Sequence, residues 1–153
     1  MLGIEQKAPE FTLPDQDGKD VTLTGLIKDG PVILYFYPAD FTPGCTREAC
    51  SIRDLHREIG LAGLKVAGIS PQSPDSHRRF RDKYGLPFIL LSDETKSVIK
   101  MFGVNGPLGF WVQRVTYLVN QERTIKGLVK AHFSISEHEA FIRRAIAIRG
   151  LPA

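Results

Sequence analysis

The chain has 153 residues, of which 42% are hydrophobic and 24% are charged, and its formal net charge is +3. This composition is typical of a globular protein and excludes a disordered chain and a coiled coil. Basic and acidic residues are interspersed, so the small positive charge does not indicate a nucleic-acid partner. We predict a single domain over residues 1–153.

The N-terminus and the cysteine count indicate a reducing compartment. No apolar run approaches the roughly 20 residues that span a bilayer. Residues 1–11 contain Glu5 and Glu10 and lack the apolar stretch of a signal peptide. We therefore expect a cytoplasmic protein with no membrane partner. Two cysteines in that compartment, Cys45 and Cys50, favour redox or metal chemistry over a structural disulfide.

The first half of the chain predicts a buried strand that leads into a helix. Residues 8–24 mix short extended pieces with a turn at residues 15–18. Residues 32–37 form an apolar, β-rich run that suits a central strand buried on both faces, and Pro38 ends it. Residues 44–59 then space their apolar side chains three or four apart, as an amphipathic helix does.

The second half continues the alternation of strands and helices. We predict strands at residues 64–70 and 88–91, and a hairpin formed by residues 115–119 and 124–129. Helices are predicted at 73–84, 94–102 and 136–148, the last with a capping box from Ser136 to Glu139, and a loop is predicted at 103–109. The basic residues at 77–81 and 143–144 are predicted to form solvated helix faces. This order predicts an α/β fold with a largely parallel centre that the late hairpin makes a mixed sheet.

Cys45 stands where a helix is predicted to begin. Thr42 favours the N-cap and Pro43 suits the first helical position, so Cys45 falls in the first turn. Unpaired N–H groups and the positive end of the helix dipole then face its sulfur and favour the thiolate. This helix follows a buried strand, where open α/β sheets commonly place their sites. A reachable thiolate is what attack on a peroxide O–O bond requires.

Cys50 lies five residues after Cys45 in the same predicted helix. In an ideal helix this spacing puts the two Cα atoms about 8.6 Å apart and about 140° around the axis. A disulfide needs roughly 4.4–6.8 Å between Cα atoms. The two cysteines therefore cannot bond while the helix is intact, and a disulfide between them requires the first turns to unwind.

Two other interpretations of the cysteines remain open. Free cysteines often fill helix packing as small buried residues, which suits Cys50 better than Cys45, because the Thr-Pro-Gly before Cys45 marks a chain entering a helix at a surface. A zinc site is the weaker alternative. With His56 as the only nearby histidine, the two cysteines fall short of a tetrahedral zinc shell, so no metal is expected.

The segment around the cysteines resembles a known family. Pro38-x-x-x-Thr42-x-x-Cys45 is similar to the active-site signature of the peroxiredoxins, and the run from Thr42 to Cys50 is similar to the bacterioferritin-comigratory, or peroxiredoxin Q, subfamily. Further similarity lies in Ala8-Pro9-x-Phe11-x-Leu13, Leu90-Leu91-Ser92-Asp93 and Arg114-Val115-Thr116-Tyr117-Leu118-Val119. The resemblance implies a thioredoxin-like α/β fold, with a mixed central sheet flanked by helices, and no cofactor.

The resemblance also implies a role for each residue of the motif. Cys45 is expected to be the peroxidatic cysteine and Cys50 the resolving one. The hydroxyl of Thr42 is expected to hold the peroxide and the thiolate, and Pro38 to shield the thiolate from water.

Arg114 and Glu48 complete the implied site. Arg114 is expected to stabilise the thiolate and the transition state, because a guanidinium is always charged, and Glu48 is expected to hold Arg114 in place. Taken alone, Arg114 suggests a surface charge at the start of a strand, and Glu48 suggests a solvated helix position. Only the resemblance assigns either of them to a site.

The chain departs from the family pattern at a few positions. Ala39 and Phe41 stand where many relatives have more polar residues, and the turn at residues 120–123 lacks the usual glycine. Phe110 and Trp111 precede Arg114; they are expected either to line the pocket mouth or a dimer contact, or to be partly buried core aromatics.

The implied activity is that of a thiol peroxidase acting on hydrogen peroxide or alkyl hydroperoxides. A thioredoxin- or glutaredoxin-type partner is expected to reduce the disulfide, and the protein is expected to be a monomer or a weak homodimer. One rival is a thiol–disulfide oxidoreductase, although such enzymes usually carry Cys-x-x-Cys, which this chain lacks. The other is a non-catalytic redox sensor or holdase that uses the same disulfide switch.

Overall fold

The computed structural model describes residues 1–149 as a small antiparallel hairpin and a five-stranded sheet with helices on both faces. In chain order the elements are β1 (Thr12–Pro14), β2 (Asp20–Thr22), α1 (Leu23–Leu26), β3 (Val32–Phe36), α2 (Pro43–Leu61), β4 (Lys65–Ser70), α3 (Pro74–Tyr84), β5 (Ile89–Ser92), α4 (Ser97–Phe102), β6 (Val115–Val119), β7 (Ile125–Lys130) and α5 (Ile135–Arg149). Within this range, no helix is both long and apolar enough to cross a bilayer.

The large sheet is mixed, as predicted, with strand order β5-β4-β3-β6-β7. Strands β3, β4 and β5 are parallel, and β6 runs antiparallel to both β3 and β7. Every residue of β3 is fully buried. The apolar run after Pro31 therefore forms the centre of the sheet, because only a strand covered on both faces can bury consecutive side chains.

The alternating side chains of β3 divide the core into two layers. Leu34 and Phe36 pack with α1, α4 and the N-terminal hairpin on one face of the sheet. Ile33 and Tyr35 pack with α2, α3 and α5 on the other face. Cys45 belongs to this second layer, so the helix that carries it is pressed between the sheet and α5.

Most predicted helices and strands are confirmed, with ends that differ by a few residues. Helix α3 begins as expected, because the Ser73 hydroxyl accepts a hydrogen bond from the Ser76 N–H at 3.2 Å. It ends at Gly85, whose φ of 62° is left-handed. Helix α4 begins at Ser97, three residues later than predicted, after Lys96 takes a left-handed conformation with φ of 61°.

The turn between β6 and β7 lacks glycine, and an asparagine side chain compensates. Asn120 Oδ1 accepts hydrogen bonds from the N–H groups of Glu122 at 3.0 Å and Thr124 at 2.9 Å. Arg123 takes the left-handed conformation that glycine usually supplies, with φ of 60°. The predicted hairpin forms with an asparagine-stabilised turn.

Two local predictions are wrong. Helix α5 begins at Ile135, so Ser136 lies inside its first turn and is not the N-cap of a capping box. The segment 77–81 is not a uniformly solvated face, because His77 and Phe80 are completely buried, whereas Arg78 and Arg79 are exposed. Residues three apart on a helix lie on the same face, so His77 and Phe80 are buried together. The prediction missed this spacing because the residues between them are basic.

Candidate active site

Helix α2 begins at the end of the central strand and places Cys45 in its first turn. Thr42 occupies the N-cap with extended backbone angles (φ −72°, ψ 149°), and Pro43 is the first helical residue. The Thr42 hydroxyl donates to the Ala39 carbonyl at 3.0 Å. Thr42 is therefore at the predicted N-cap position, but its side chain accepts no hydrogen bond from the first-turn N–H groups. The N–H groups of a first turn have no partner within the helix, and they provide positive charge beside Cys45.

Arg114 and Glu48 form a buried ion pair beside this helix start. Arg114 Nη1 lies 2.7 Å from Glu48 Oε1, and the two side chains are 7% and 1% exposed. Arg114 Nε also donates to the carbonyl of His132 at 3.2 Å. Arg114 Nη2 lies so close to Gly44 that a Cβ atom added to Gly44 would be 3.1 Å from Nη2. Surface or solvated positions for Arg114 and Glu48, the alternatives that the sequence left open, are therefore wrong.

Burial and neighbouring groups shift the pKa values of both members of this pair. Burial opposes the charge of Arg114, yet the charges of Glu48 and Cys45 and hydrogen bonds to both raise the pKa of Arg114 above its ordinary value. Burial raises the pKa of Glu48 to about 7, although Arg114 acts to lower it. The guanidinium is therefore permanently charged, while its carboxylate partner changes charge near neutral pH.

A second buried network anchors the loop that precedes α2. Asp40 accepts a hydrogen bond from the Tyr37 hydroxyl at 2.7 Å and another from the Ser76 hydroxyl at 2.8 Å. His77 Nδ1 lies 2.6 Å from Asp40 Oδ2. The next residue, Phe41, has a left-handed φ of 66°. Contacts to α3 thus hold this loop in a conformation that a bulky residue rarely adopts.

A cavity of about 290 Å³ opens in front of the helix start. Its lining residues are Pro38, Thr42, Pro43, Gly44, Arg47, Trp111, Arg114, His132, Phe133 and Ile135. Trp111 is half exposed and its Nε1 donates to His132 Nε2 at 3.1 Å, whereas Phe110 is 82% exposed. Neither aromatic residue is part of the core, and Trp111 lines the pocket mouth.

The two cysteines differ in exposure from what the sequence indicated. Cys45 is 1% exposed and packs in the second core layer, and the residues that line the cavity include Thr42 and Gly44 but not Cys45, so its sulfur is less accessible than expected. Cys50 is partly exposed and borders a separate depression between α2 and α5. Both are free thiols in one continuous helix. The structure therefore represents the reduced state.

Sequence reasoning missed one buried residue of the site, His138. It is 1% exposed, its Nδ1 lies 3.6 Å from Glu48 Oε2, and its Nε2 donates to the Ala131 carbonyl at 2.8 Å. The spacing of His138 from Ile142 and Ala145 places all three on one face of α5, which is a signal that could have found it. Within residues 1–149, no group of three or more His, Cys, Asp or Glu side chains is placed to hold a metal ion.

Comparison with known proteins gives consistent results for sequence and structure. Residues 4–128 match the AhpC/TSA family. The chain is 45% identical over 131 residues to a chloroplastic peroxiredoxin Q of Gentiana triflora, covering 85% of this chain and 60% of that protein. The chain thus spans about 60% of the length of several curated plant relatives that it matches.

Solved structures extend the similarity to the fold. Peroxidoxin BcpB from Mycobacterium tuberculosis superposes with a TM-score of 0.91 at 34% identity, over 97% of this chain and 98% of that one. The bacterioferritin comigratory protein of Xanthomonas campestris, from work on its alkyl peroxide reduction, gives 0.81 at 28% identity, over 91% and 92% of the two chains. The expected thioredoxin-like peroxiredoxin fold is confirmed.

The pKa of Glu48 predicts a pH-dependent stability. Between its ordinary value of 4.5 and its folded value of about 7, the folded protein keeps a proton that the unfolded chain has lost. The contribution of Glu48 to stability is therefore fully present below pH 4.5 and is lost as pH rises through this window, by about 3 kcal/mol. Glu48→Gln removes this group, so its free energy of unfolding, measured by urea titration of the reduced protein, should depend less on pH between 4.5 and 7.

Glu58→Gln, an exposed position on the same helix, is the matched control and should retain the pH dependence of the wild type. Equal pH dependence in the Glu48→Gln variant and the wild type would show that Glu48 does not titrate in this range.

Proposed function

The chain belongs to the AhpC/TSA family and is related to its peroxiredoxin Q and bcp members, and from this we propose that it is a thiol-dependent peroxidase with Cys45 as its nucleophile. The observation that carries the proposal is the first turn of α2, where Cys45 lies beside the permanently charged Arg114, and Arg114 lines a cavity together with Thr42 and Gly44. An activated thiolate next to a fixed cation is suited to splitting a peroxide bond.

In the proposed first step, the Cys45 thiolate attacks the nearer peroxide oxygen. A sulfur–oxygen bond forms, the O–O bond breaks, and the sulfur loses two electrons to become a sulfenic acid while the second oxygen leaves as water or an alcohol after taking a proton. Arg114 stabilises the negative charge that moves from sulfur to the leaving oxygen. Thr42, which lines the cavity, can offer its hydroxyl to the peroxide by releasing the Ala39 carbonyl, and Pro38 limits access of water.

The substrates that we propose are hydrogen peroxide and alkyl hydroperoxides. Pro38, Pro43, Trp111, Phe133 and Ile135 form an apolar part of the cavity lining. A cavity of about 290 Å³ has room for a short alkyl chain beside the reacting oxygens. The similarity to a structure studied for alkyl peroxide reduction supports this choice.

The second step that we propose is attack of Cys50 on the Cys45 sulfenic acid, which forms a disulfide and releases water. Both cysteines lie on one unbroken helix, so their Cα atoms are about 8.6 Å apart by ideal helix geometry. This distance exceeds the disulfide limit of about 6.8 Å. Helix α2 must therefore unwind around residues 44–51 before Cys50 can reach Cys45.

The regenerating reductant is proposed to be a thioredoxin- or glutaredoxin-type dithiol protein. In the reduced form Cys45 is buried and Cys50 is only partly exposed, so we propose that the unwinding of α2 that forms the disulfide also exposes it to this partner. A single cytoplasmic domain that acts as a monomer or weak homodimer remains our prediction.

The two cysteine variants should separate the proposed steps. Cys45→Ser should abolish peroxide consumption, whereas Cys50→Ser should be oxidised once at a near-normal rate and then stop. Stopped-flow fluorescence of Trp111, the single tryptophan of the chain, can follow the first turnover, and a thioredoxin–NADPH assay can follow the steady state.

Equal first-turnover rates for the wild type and Cys45→Ser would contradict the assignment of the nucleophile. Rapid oxidation without sustained turnover by any dithiol reductant would instead favour a redox sensor or holdase.

Oxidation should loosen one segment of the protein and leave the central sheet unchanged. Unwinding roughly two turns of α2 removes several backbone hydrogen bonds, each worth about 1 kcal/mol net. Amide hydrogen exchange should therefore increase across residues 44–56 in the disulfide form and change little in β3 and β4. Identical protection of this segment in both forms would show that Cys45 and Cys50 do not bond within one chain.

A further inference from the structure

One wall of the cavity is built from aromatic rings that the proposed chemistry does not use. Trp111 precedes β6, His132 and Phe133 follow β7, and all three line the cavity. The ring centroid of His132 is 6.0 Å from that of Trp111 and 5.7 Å from that of Phe133. His132 therefore joins two separate loops into one aromatic surface, which we call the aromatic wall.

A hydrogen bond from its own side chain holds Trp111 on the aromatic wall. Trp111 Nε1 donates to His132 Nε2 at 3.1 Å. An indole N–H can only donate, so Nε2 is the unprotonated nitrogen of His132, and the neutral ring carries its proton on Nδ1. Trp111 is 51% exposed, so apolar packing against the protein holds the indole only in part.

Protonation of His132 must break this hydrogen bond. An imidazolium carries a proton on both nitrogens, so Nε2 can no longer accept, and two N–H donors then face each other. The Trp111 N–H has to turn to water to find an acceptor, and the indole leaves its place on the aromatic wall. The position of Trp111 thus depends on the charge of His132.

The charges around His132 keep its ring neutral at pH 7. Burial first, and then the charges of Arg114 and Lys130, lower the pKa of His132 below its ordinary value of 6.5. Arg47 on α2 lines the same cavity and is a further cation. Among the described residues that line the cavity, none is acidic.

The acidic groups of the neighbouring helices have partners of their own. Glu48 on α2 pairs with Arg114 at 2.7 Å, and Glu137 on α5 acts on the pKa of His138. Cations therefore dominate the surroundings of His132, and the hydrogen bond from the indole is formed at neutral pH.

We propose that His132 is a pH-sensitive latch on the peroxide cavity: the neutral ring holds the Trp111 indole where the alkyl group of an organic hydroperoxide packs, and the protonated ring releases it. Hydrogen peroxide has no apolar part, so its reduction gains nothing from the aromatic wall. The protein therefore favours bulky hydroperoxides over hydrogen peroxide at neutral pH and loses this selectivity when His132 is protonated. The inference rests on the proposed function for its substrates.

The latch itself is tested without peroxide, by the fluorescence of Trp111, the single tryptophan of the chain. In the reduced protein, the indole emission should change in one step below pH 6.5, because protonated His132 no longer accepts from the indole N–H. His132→Gln keeps a side-chain oxygen that can accept at every pH, so it should remove this step. His56→Gln, a half-buried histidine on α2 at a separate depression, is the matched control and should retain it. Far-ultraviolet circular dichroism over the same pH range establishes that each protein stays folded.

The effect on selectivity is tested by the ratio of the oxidation rates with cumene hydroperoxide and with hydrogen peroxide. Both peroxides react with the same Cys45 thiolate, so its ionisation cancels in this ratio. Between about pH 8 and about pH 5 the ratio should fall roughly tenfold in the wild type, at the low end of what an apolar contact contributes to selectivity. It should stay high in His132→Gln and low in Trp111→Ala at every pH. Single-turnover reactions, quenched and assayed for the remaining peroxide, give both rates.

The outcomes distinguish this inference from the proposed function. A fluorescence step that is absent from the wild type, or that persists in His132→Gln, would overturn the latch. A rate ratio that does not change with pH, or that falls equally in His132→Gln, would overturn its role in selectivity. A fluorescence step that depends on His132, with neither peroxide consumed, would show that the latch exists and that the proposed function is wrong.

Discussion

The structure depends on one buried ion pair, in which Arg114, the residue before β6, lies 2.7 Å from Glu48 in the first turns of α2. Burying two charges costs several kcal/mol per ion, and a single missing partner leaves the other charge uncompensated. Helix α2 therefore has to keep its first turns against the sheet for Arg114 to remain satisfied. Cys45, one turn before Glu48, is held beside the same guanidinium. Arg114 is thus shared between a carboxylate and a thiol.

This arrangement creates a conflict between the two proposed steps. In the proposed mechanism, oxidation requires α2 to be intact, because the first-turn N–H groups and Arg114 lie beside Cys45 only in that state. Disulfide formation requires the same turns to unwind. Asp40 and its contacts to α3 lie outside the segment that must unwind, so they can hold the preceding loop while α2 opens. The central strand lies outside the segment that must unwind, so we expect the change to be confined to one side of the sheet.

The sequence predicted the fold well, because its signals were local. The fully apolar run of β3, Ser73 and Gly85 at the ends of α3 and the helical spacing of α2 each follow from a few consecutive residues. Cys45 in a first turn was predictable for the same reason. The burial of Glu48 and the position of His138 were not, because each depends on contacts between segments roughly 65 to 90 residues apart. The sequence also indicated an accessible Cys45, whereas Cys45 is buried in the core layer that contains Tyr35 and Ala49.

The most direct test of the central claim, that Arg114 stabilises the Cys45 thiolate, is the ultraviolet thiolate absorbance of reduced Cys50→Ser protein against pH, with and without Arg114→Ala. An opposite charge close to a titratable group shifts the pKa of that group by roughly one to three units. The account predicts that Arg114→Ala moves thiolate formation upward by at least about one unit and slows peroxide oxidation in proportion. Arg78→Ala, an exposed arginine on α3, should change neither quantity. Unchanged thiolate formation in a folded Arg114→Ala protein would contradict the account.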